Sequence, residues 1–312
     1  MTLIISTLTS SGIVLTADSR QTYKNSVGAL RIGSDNAMKL FKITNTCGVA
    51  ISGRAFLCEN NQPPKDAGFF INRFTQQEKL EGLKIKEIAE KLNDYLKNIF
   101  VDDSIKALKK QIEIEIIAAD GKELVFTDKQ DHTIPYSFKD STGKITTRTG
   151  WIDTINMIVA GIDDDKIGRA YSVSIPKGIT LERDTQLCGA MWSGQTDVIS
   201  RIIKGYDPSI ASLNFVNEAV SKPGNDILKQ LDHLEYIINW STINIQDAID
   251  FCVLMTKTTE NIQRFSDGTI LYPGGIAGVG GEVDIAVITP DKGFMWLKKK
   301  NLKADGAELS IN

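Results

Sequence analysis

Apolar positions along this chain fall into short runs with two different periods. Leu3-Ile4-Ile5 and Leu8 precede a turn at Ser10-Ser11-Gly12, and Ile13-Val14-Leu15 follow it. Apolar runs split by a Gly-containing turn predict a buried β-hairpin, here ending in Ala17-Asp18-Ser19-Arg20. A polar stretch holding Gly28 and Gly33 predicts a loop to about Asn36. Residues 38–44 and 48–53 predict a second hairpin about Asn45-Thr46-Cys47, with Lys39 near its start and Gly53 at its end. The period then changes. Pro63-Pro64-Lys65-Asp66 opens a predicted helix over roughly 66–80, with Phe69, Phe70 and Phe74 apolar. Ile85, Ile88, Leu92, Tyr95 and Leu96 recur at three- and four-residue steps and predict an amphipathic helix over 83–96.

Residues 112–116 read Ile-Glu-Ile-Glu-Ile, and this alternation predicts a strand that pairs with Leu124-Val125-Phe126 across Asp120-Gly121-Lys122. Another hairpin is predicted over 134–149, turning at Ser141-Thr142-Gly143-Lys144. Apolar strands follow at 155–163, 169–178, 187–195 and 282–289, the last turning at Asp291-Lys292-Gly293 into Phe294-Met295-Trp296-Leu297. Helices are predicted over 195–204, 208–220, 226–240 and 244–265, the last capped by Asn244. The tail, 298–312, is polar and predicted to be peripheral. Neither an internal repeat nor a low-complexity linker is visible.

Composition narrows the function classes. The 312 residues are 42% hydrophobic and 24% charged, ordinary values for globular chains. A formal charge of −3 argues against a dedicated nucleic-acid binder. Cys47, Cys58, Cys188 and Cys252 are scattered, so neither a zinc site nor a disulfide framework is expected. The two histidines, His132 and His233, lie far apart, which disfavours a His-based metal site or triad. No apolar run approaches the ~20 residues that span a bilayer. No cationic region precedes the first strand, so no secretory signal is expected. The expectation is a cytoplasmic protein with no metal, no cofactor, and neither nucleic acid nor membrane as partner.

Candidate chemistry sits at the chain start. Thr2 directly follows Met1, and removal of Met1 leaves a hydroxyl and a free α-amine on one residue. An alcohol is a weak nucleophile at neutral pH, and an adjacent amine supplies the base it needs. An α-amine has an ordinary pKa of about 7.7–8.0, and a nearby cation favours its neutral, proton-accepting form.

These features resemble the proteasome β-subunit family of N-terminal-nucleophile hydrolases. That family starts its mature chain with Thr, runs a strand, turns at Gly, and ends the next strand in Ala-Asp-x-Arg, as in Ala17-Asp18-Ser19-Arg20. Its next hairpin, Lys-Ile/Leu-Phe-x-Ile followed by Val-Ala-Ile-x-Gly, matches Lys39-Leu40-Phe41-Lys42-Ile43 and Val49-Ala50-Ile51-Ser52-Gly53. Ala160-Gly161-Ile162-Asp163 matches its Ala-Gly-x-Asp, and Trp192-Ser193-Gly194 falls where the family turns at Gly-Ser-Gly. The loop between Asp18 and Lys39 is a few residues longer than usual in the family. The resemblance is dense over 2–53 and 155–204 and thin elsewhere.

The resemblance implies an α+β fold, a four-layer αββα sandwich. It implies one domain over 1–312, with insertions at about 101–150 and 206–242. It casts Thr2 as nucleophile and Lys39 as the cation within reach of its hydroxyl. Asp18 holds Lys39 charged, Arg20 braces the turn, and Gly53 offers its N–H to a tetrahedral oxyanion. Ser193 lies near the α-amine, and Ile51 and Ala55 line the pocket for the residue before the scissile bond. Singly, each reads as an ordinary strand-end or turn residue; their order and spacing together carry the reading. The implied substrate is a peptide or unfolded protein, inside a ring or spiral homo-oligomer served by an unfolding ATPase. One departure stands out. The family's Asp-x-x-Ser-Gly-Gly is replaced by Gly274-Gly275-Ile276-Ala277-Gly278-Val279-Gly280-Gly281, and Asp267 is the nearest upstream acid. Two alternatives therefore stand beside the peptidase: an inactive scaffolding relative, and a non-peptide amidase.

Overall fold

The computed structural model describes residues 2–25, 29–59, 62–128, 132–221, 226–270, 273–304 and 307–309. The first hairpin forms from β1 (Leu3–Thr9) and β2 (Gly12–Ala17), with Thr9 opposite Gly12. The polar stretch after it carries a small hairpin of its own, β3 (Gln21–Lys24) with β4 (Leu30–Ser34), where a plain loop was expected. β5 (Leu40–Lys42) and β6 (Cys47–Gly53) form the second predicted hairpin. The short pair β7 (Phe56–Leu57) and β8 (Lys65–Asp66) leads into α1 (Ala67–Gln77), whose first turn is capped by the Asp66 carboxylate accepting from Phe69 N at 3.0 Å.

α2 (Ile85–Ala118) is far longer than predicted and absorbs residues 112–116, the expected strand. Ile112 and Ile116, one turn apart, are buried against Tyr136 and Phe138, while Ile114 and Ile117 face solvent. Alternation of apolar and charged residues fits a helix when only every second apolar residue finds a packing partner. β9 (Lys122–Phe126) therefore pairs with β10 (Thr133–Lys139), which pairs in turn with β11 (Ile145–Trp151) about the predicted turn.

β12 (Ile155–Ile162) and β13 (Gly168–Ile175) appear where expected. β14 (Gly178–Asp184) is a strand the pattern did not reveal, because its residues are only partly buried. β15 (Gly189–Gly194) precedes α3 (Asp197–Lys204). The helices expected over 208–220 and 226–240 are broken into short pieces: a 3-10 turn at Pro208–Ser212, then α4 (Asn214–Val220), α5 (Ile227–Leu231) and further 3-10 turns. Phe215, Leu234, Tyr236 and Ile237 are exposed there, so no continuous apolar face is buried to sustain long helices. α6 (Ile245–Phe265) starts at the predicted Asn244 cap, reinforced by Asp247 in a capping box. β16 (Asp284–Thr289) and β17 (Gly293–Lys298) close the second half. The tail carries β18 (Leu302–Ala304) and β19 (Ala307–Leu309), and it is not wholly peripheral. The Lys300 side chain is buried, its ammonium paired with the buried Asp284 carboxylate.

The chain is thus a mixed α and β protein with several antiparallel sheets. Two have five strands, ordered β15-β1-β2-β16-β17 and β14-β13-β12-β6-β5. Side chains alternate faces along a strand, which sorts the core into clusters. Ile4, Leu8, Ile13 and Leu15 of one sheet pack with Ala50, Ile158 and Ala160 of the other. The alternate residues Leu3, Ile5 and Val14 pack with Ile199, Ala248 and Cys252 on α3 and α6. Val49, Met157 and Val159 pack with Phe70, Ile88 and Leu92 on α1 and α2. Burial of both faces explains the continuous apolar runs, each such side chain contributing about 1.5–3 kcal/mol. No helix among the described residues is long and apolar enough to cross a membrane.

A strand over 112–116 would place Ile112 and Ile114 on one face; the helix separates them, at 3% and 59% exposure. Ile112→Ala is therefore expected to cost about 2–5 kcal/mol, and Ile114→Ala about 0.5 kcal/mol or less. Urea unfolding of the two variants checks this.

Candidate active site

The β1–β2 hairpin places Thr2 just before one strand and Asp18 just after the other. Asp18 is wholly buried, and its carboxylate accepts four hydrogen bonds. Oδ1 takes Leu3 N at 3.0 Å and Lys39 Nζ at 2.9 Å, while Oδ2 takes Arg20 N at 3.1 Å and Gly280 N at 3.0 Å. A carboxylate removed from water needs donors of this kind. Lys39 reaches the site because β5 begins immediately after it; its side chain is 8% exposed and donates also to the Arg20 carbonyl. Burial pushes Asp18 above its usual range, opposed by Lys39 and by the N–H groups of Leu3 and Gly280. Burial pushes Lys39 below its usual range, opposed by Asp18, and the Lys300 ammonium adds to the downward push.

Thr2 is 5% exposed. Its carbonyl accepts Gln195 N at 2.6 Å, and Leu3 lies opposite Gly194 at the end of β15. Gly194 has φ +100°, and a Cβ there would lie 1.9 Å from the Thr2 carbonyl oxygen, so the close approach needs glycine. Thr2 and Lys39 line one cleft of about 580 Å³, together with Ile51, Gly53, Ala55 and Phe69. Thr2 and Gly53 also line a second cleft of about 680 Å³, which adds Asn156, Gly194 and Gln195. Thr2 thus stands where two clefts meet.

The other sequence-selected residues fall as follows. Gly53 ends β6 at φ +89°, its missing side chain leaving room for the Thr154 carbonyl. Arg20 grips Asp35 with two hydrogen bonds, of 2.6 and 2.9 Å, and reaches the Ala277 carbonyl at 3.4 Å. Its guanidinium thus ties the end of the first hairpin to the loop at 35 and to the glycine-rich stretch. The Ser193 hydroxyl lies 3.1 Å from that of Ser52. Asp267 is exposed in a turn, where its backbone carbonyl accepts Gly274 N at 2.6 Å.

The glycine-rich stretch does its holding through backbone. Gly280 N binds Asp18, and the Gly280 carbonyl accepts Ser19 N at 2.9 Å. Gly278 N and Val279 N both donate to Gln263 Oε1 at 2.9 Å. Gln263 Nε2 donates to Gln195 Oε1, whose own backbone N–H holds Thr2. Sequence reading missed Gln263, since a glutamine near a helix end carries no local signal. Lys300 was missed likewise; its ammonium donates to Ser19 Oγ at 2.9 Å, next door to Asp18.

Two cysteines are inert by environment. Burial pushes the Cys252 thiol up to about 12 and raises Cys47 further, so neither supplies a thiolate at neutral pH. Among the described residues, no group of three or more His, Cys, Asp or Glu side chains is arranged to hold a metal ion. No family model matches the chain, and no curated protein matches its sequence.

Removing one partner of a buried pair strands the other charge. Asp18→Asn and Lys39→Met are each expected to cost about 3–5 kcal/mol, and the double variant less than their sum. Denaturant unfolding of the three variants measures the coupling.

Proposed function

We propose that the chain is a threonine-type amide hydrolase of the N-terminal-nucleophile class, related to proteasome β subunits, with Thr2 as nucleophile once Met1 is removed. The observation that carries this reading is the buried Asp18–Lys39 pair: one carboxylate binds both the lysine and the backbone N–H that follows Thr2, the residue that lines both clefts. The three core clusters, one between sheets and two between sheet and helices, support a four-layer αββα sandwich.

In the proposed reaction the Thr2 hydroxyl proton passes to the Thr2 α-amine, directly or through one water, as Oγ attacks the substrate carbonyl. The Gly53 N–H stabilises the resulting oxyanion. The α-amine returns its proton to the leaving nitrogen as the C–N bond breaks, giving an ester on Thr2. Water then hydrolyses the ester with the same amine as base. Lys39 favours the neutral amine throughout, because a neighbouring cation penalises its protonation. Asp18 keeps the lysine in place, and Ile51 and Ala55 contact the residue before the scissile bond. The proposed assembly is a homo-oligomeric ring or spiral in the cytoplasm, acting on peptides or on proteins delivered by an unfolding ATPase.

The second reading, a non-catalytic scaffolding relative, is favoured by the stretch Gly274–Gly281, which lacks the acid and serine of the family. N-terminal sequencing separates the two: a retained Met1 favours the scaffold, a free Thr2 the enzyme.

Treatment with a threonine-directed epoxyketone or β-lactone, followed by mass spectrometry, is expected to give one adduct, on Thr2. Thr2→Ala should give neither adduct nor peptide cleavage; a Thr2→Ala protein that still cleaves defeats the reading. Because the base acts when neutral, the labelling rate should rise with pH. Its midpoint should lie below the ordinary α-amine value of about 7.7–8.0, displaced downward by the Lys39 charge. A rate that falls as pH rises through this range would contradict the mechanism.

A further inference from the structure

The cleft on the Gly194 side of Thr2 does not end at Gln195. Gly194 and Gln195 also line a third cleft, of about 420 Å³, so the second and third run in series away from the nucleophile. The far wall of the third comes from Asp207, Pro208 and Ser209, the start of the segment that departs from the family pattern after α3. Thr269, beyond the end of α6, closes another side. Gln195, at the junction, is fixed at both ends: its backbone N–H by Thr2, its side chain by Gln263. The floor shared by the two clefts is therefore built into the same network that holds the nucleophile.

The charges of the third cleft are unevenly committed. Asp207 is buried, paired with Arg201, and accepts Ser209 N at 2.7 Å, so that acid and base cancel. Asp197, in the first turn of α3, also lines the cleft and is half-buried. Among the described residues, none forms a hydrogen bond or ion pair with its carboxylate. One net negative charge is left facing the cavity.

We propose that the third cleft binds the portion of a polypeptide substrate beyond the scissile amide, and that Asp197 favours a lysine or arginine side chain there. This rests on the hydrolase reading, in which the first cleft, lined by Ile51 and sharing Ala55 with the second, takes the acyl side, and the Gly194–Gln195 part of the second cleft together with the third takes the leaving side. On this assignment a small amide needs only the first cleft and its shared border with the second at Thr2, Gly53 and Ala55. An extended chain advances about 3.3–3.6 Å per residue and occupies all three in sequence. The inference selects a polypeptide substrate over a small non-peptide amide, and it gives the 206–212 region a role in substrate binding.

The test uses peptides with a common acyl half and a leaving side lengthened from one residue to five, carrying Lys, Ala or Glu at the distal positions. For the full-length protein, kcat/KM should rise with leaving-side length. Lys should exceed Glu by about two- to fivefold at low salt, the range of an exposed ion pair, and the advantage should shrink as salt screens it. Asp197→Asn should bring the Lys-to-Glu ratio near one, Asp197→Lys should invert it, and Ser209→Trp should remove the gain from length. Equal rates at all lengths, faster turnover of small amides, or a Lys preference that survives Asp197→Asn would overturn the proposal. A binding arm separates this from the hydrolase reading. Fluorescence anisotropy of the same peptides on Thr2→Ala protein reads the cleft without chemistry. Length- and Asp197-dependent binding with no Thr2 adduct in the unmodified protein would uphold the cleft and reject the nucleophile. A Thr2 adduct with binding indifferent to leaving-side length would do the reverse.

Discussion

One buried carboxylate organises the ends of this molecule's central strands. Asp18 draws donors from the start of β1, from its own turn, from the residue before β5 and from the glycine stretch before β16. A charge without water demands its full set of partners, and here each partner belongs to a different segment. Through Leu3 of β1 and Lys39 just before β5, Asp18 thereby ties the two large sheets together at one end. Thr2 is held indirectly, because the amide that follows it is one of the four donors.

Around that carboxylate the chain repeatedly uses backbone where side chains would be too large. Gly194 lets β15 approach the Thr2 carbonyl, and Gly280 lies so close to the Arg20 guanidinium that a Cβ would meet it at 2.6 Å. Glycine costs stability in a strand, of order 0.5–1 kcal/mol relative to alanine. At Gly194 the close approach to a backbone carbonyl, at positive φ, itself requires it. The consequence is that Thr2 is held at a strand end by backbone contacts while it lines both neighbouring clefts. Gln263 then links the glycine stretch to Gln195, so α6 braces the site.

Much of the fold is legible along the chain. Both early hairpins, β12, β13, β16, β17 and α6 follow from runs whose periods match their burial on one or two faces. The errors share one cause. The run at 112–116 alternates, but which isoleucines are buried was decided by Tyr136 and Phe138, which lie beyond the following turn. β14 lacks a fully buried face, so it left no apolar signature. The pieces after α3 carry helix-forming residues but no surface against which a long helix can pack.

The sequence by itself determined the local elements and the order of Thr2, Asp18, Arg20, Lys39 and Gly53, because hairpin geometry and capping act between near neighbours. Only the tertiary structure decided how the glycine stretch serves the site, that Gln263 reaches Gln195, and that Lys300 lies buried beside Ser19. Those contacts join residues separated by up to 281 positions. Hydrogen bonds of that span depend on how sheets and helices pack, and no periodicity in the chain encodes them.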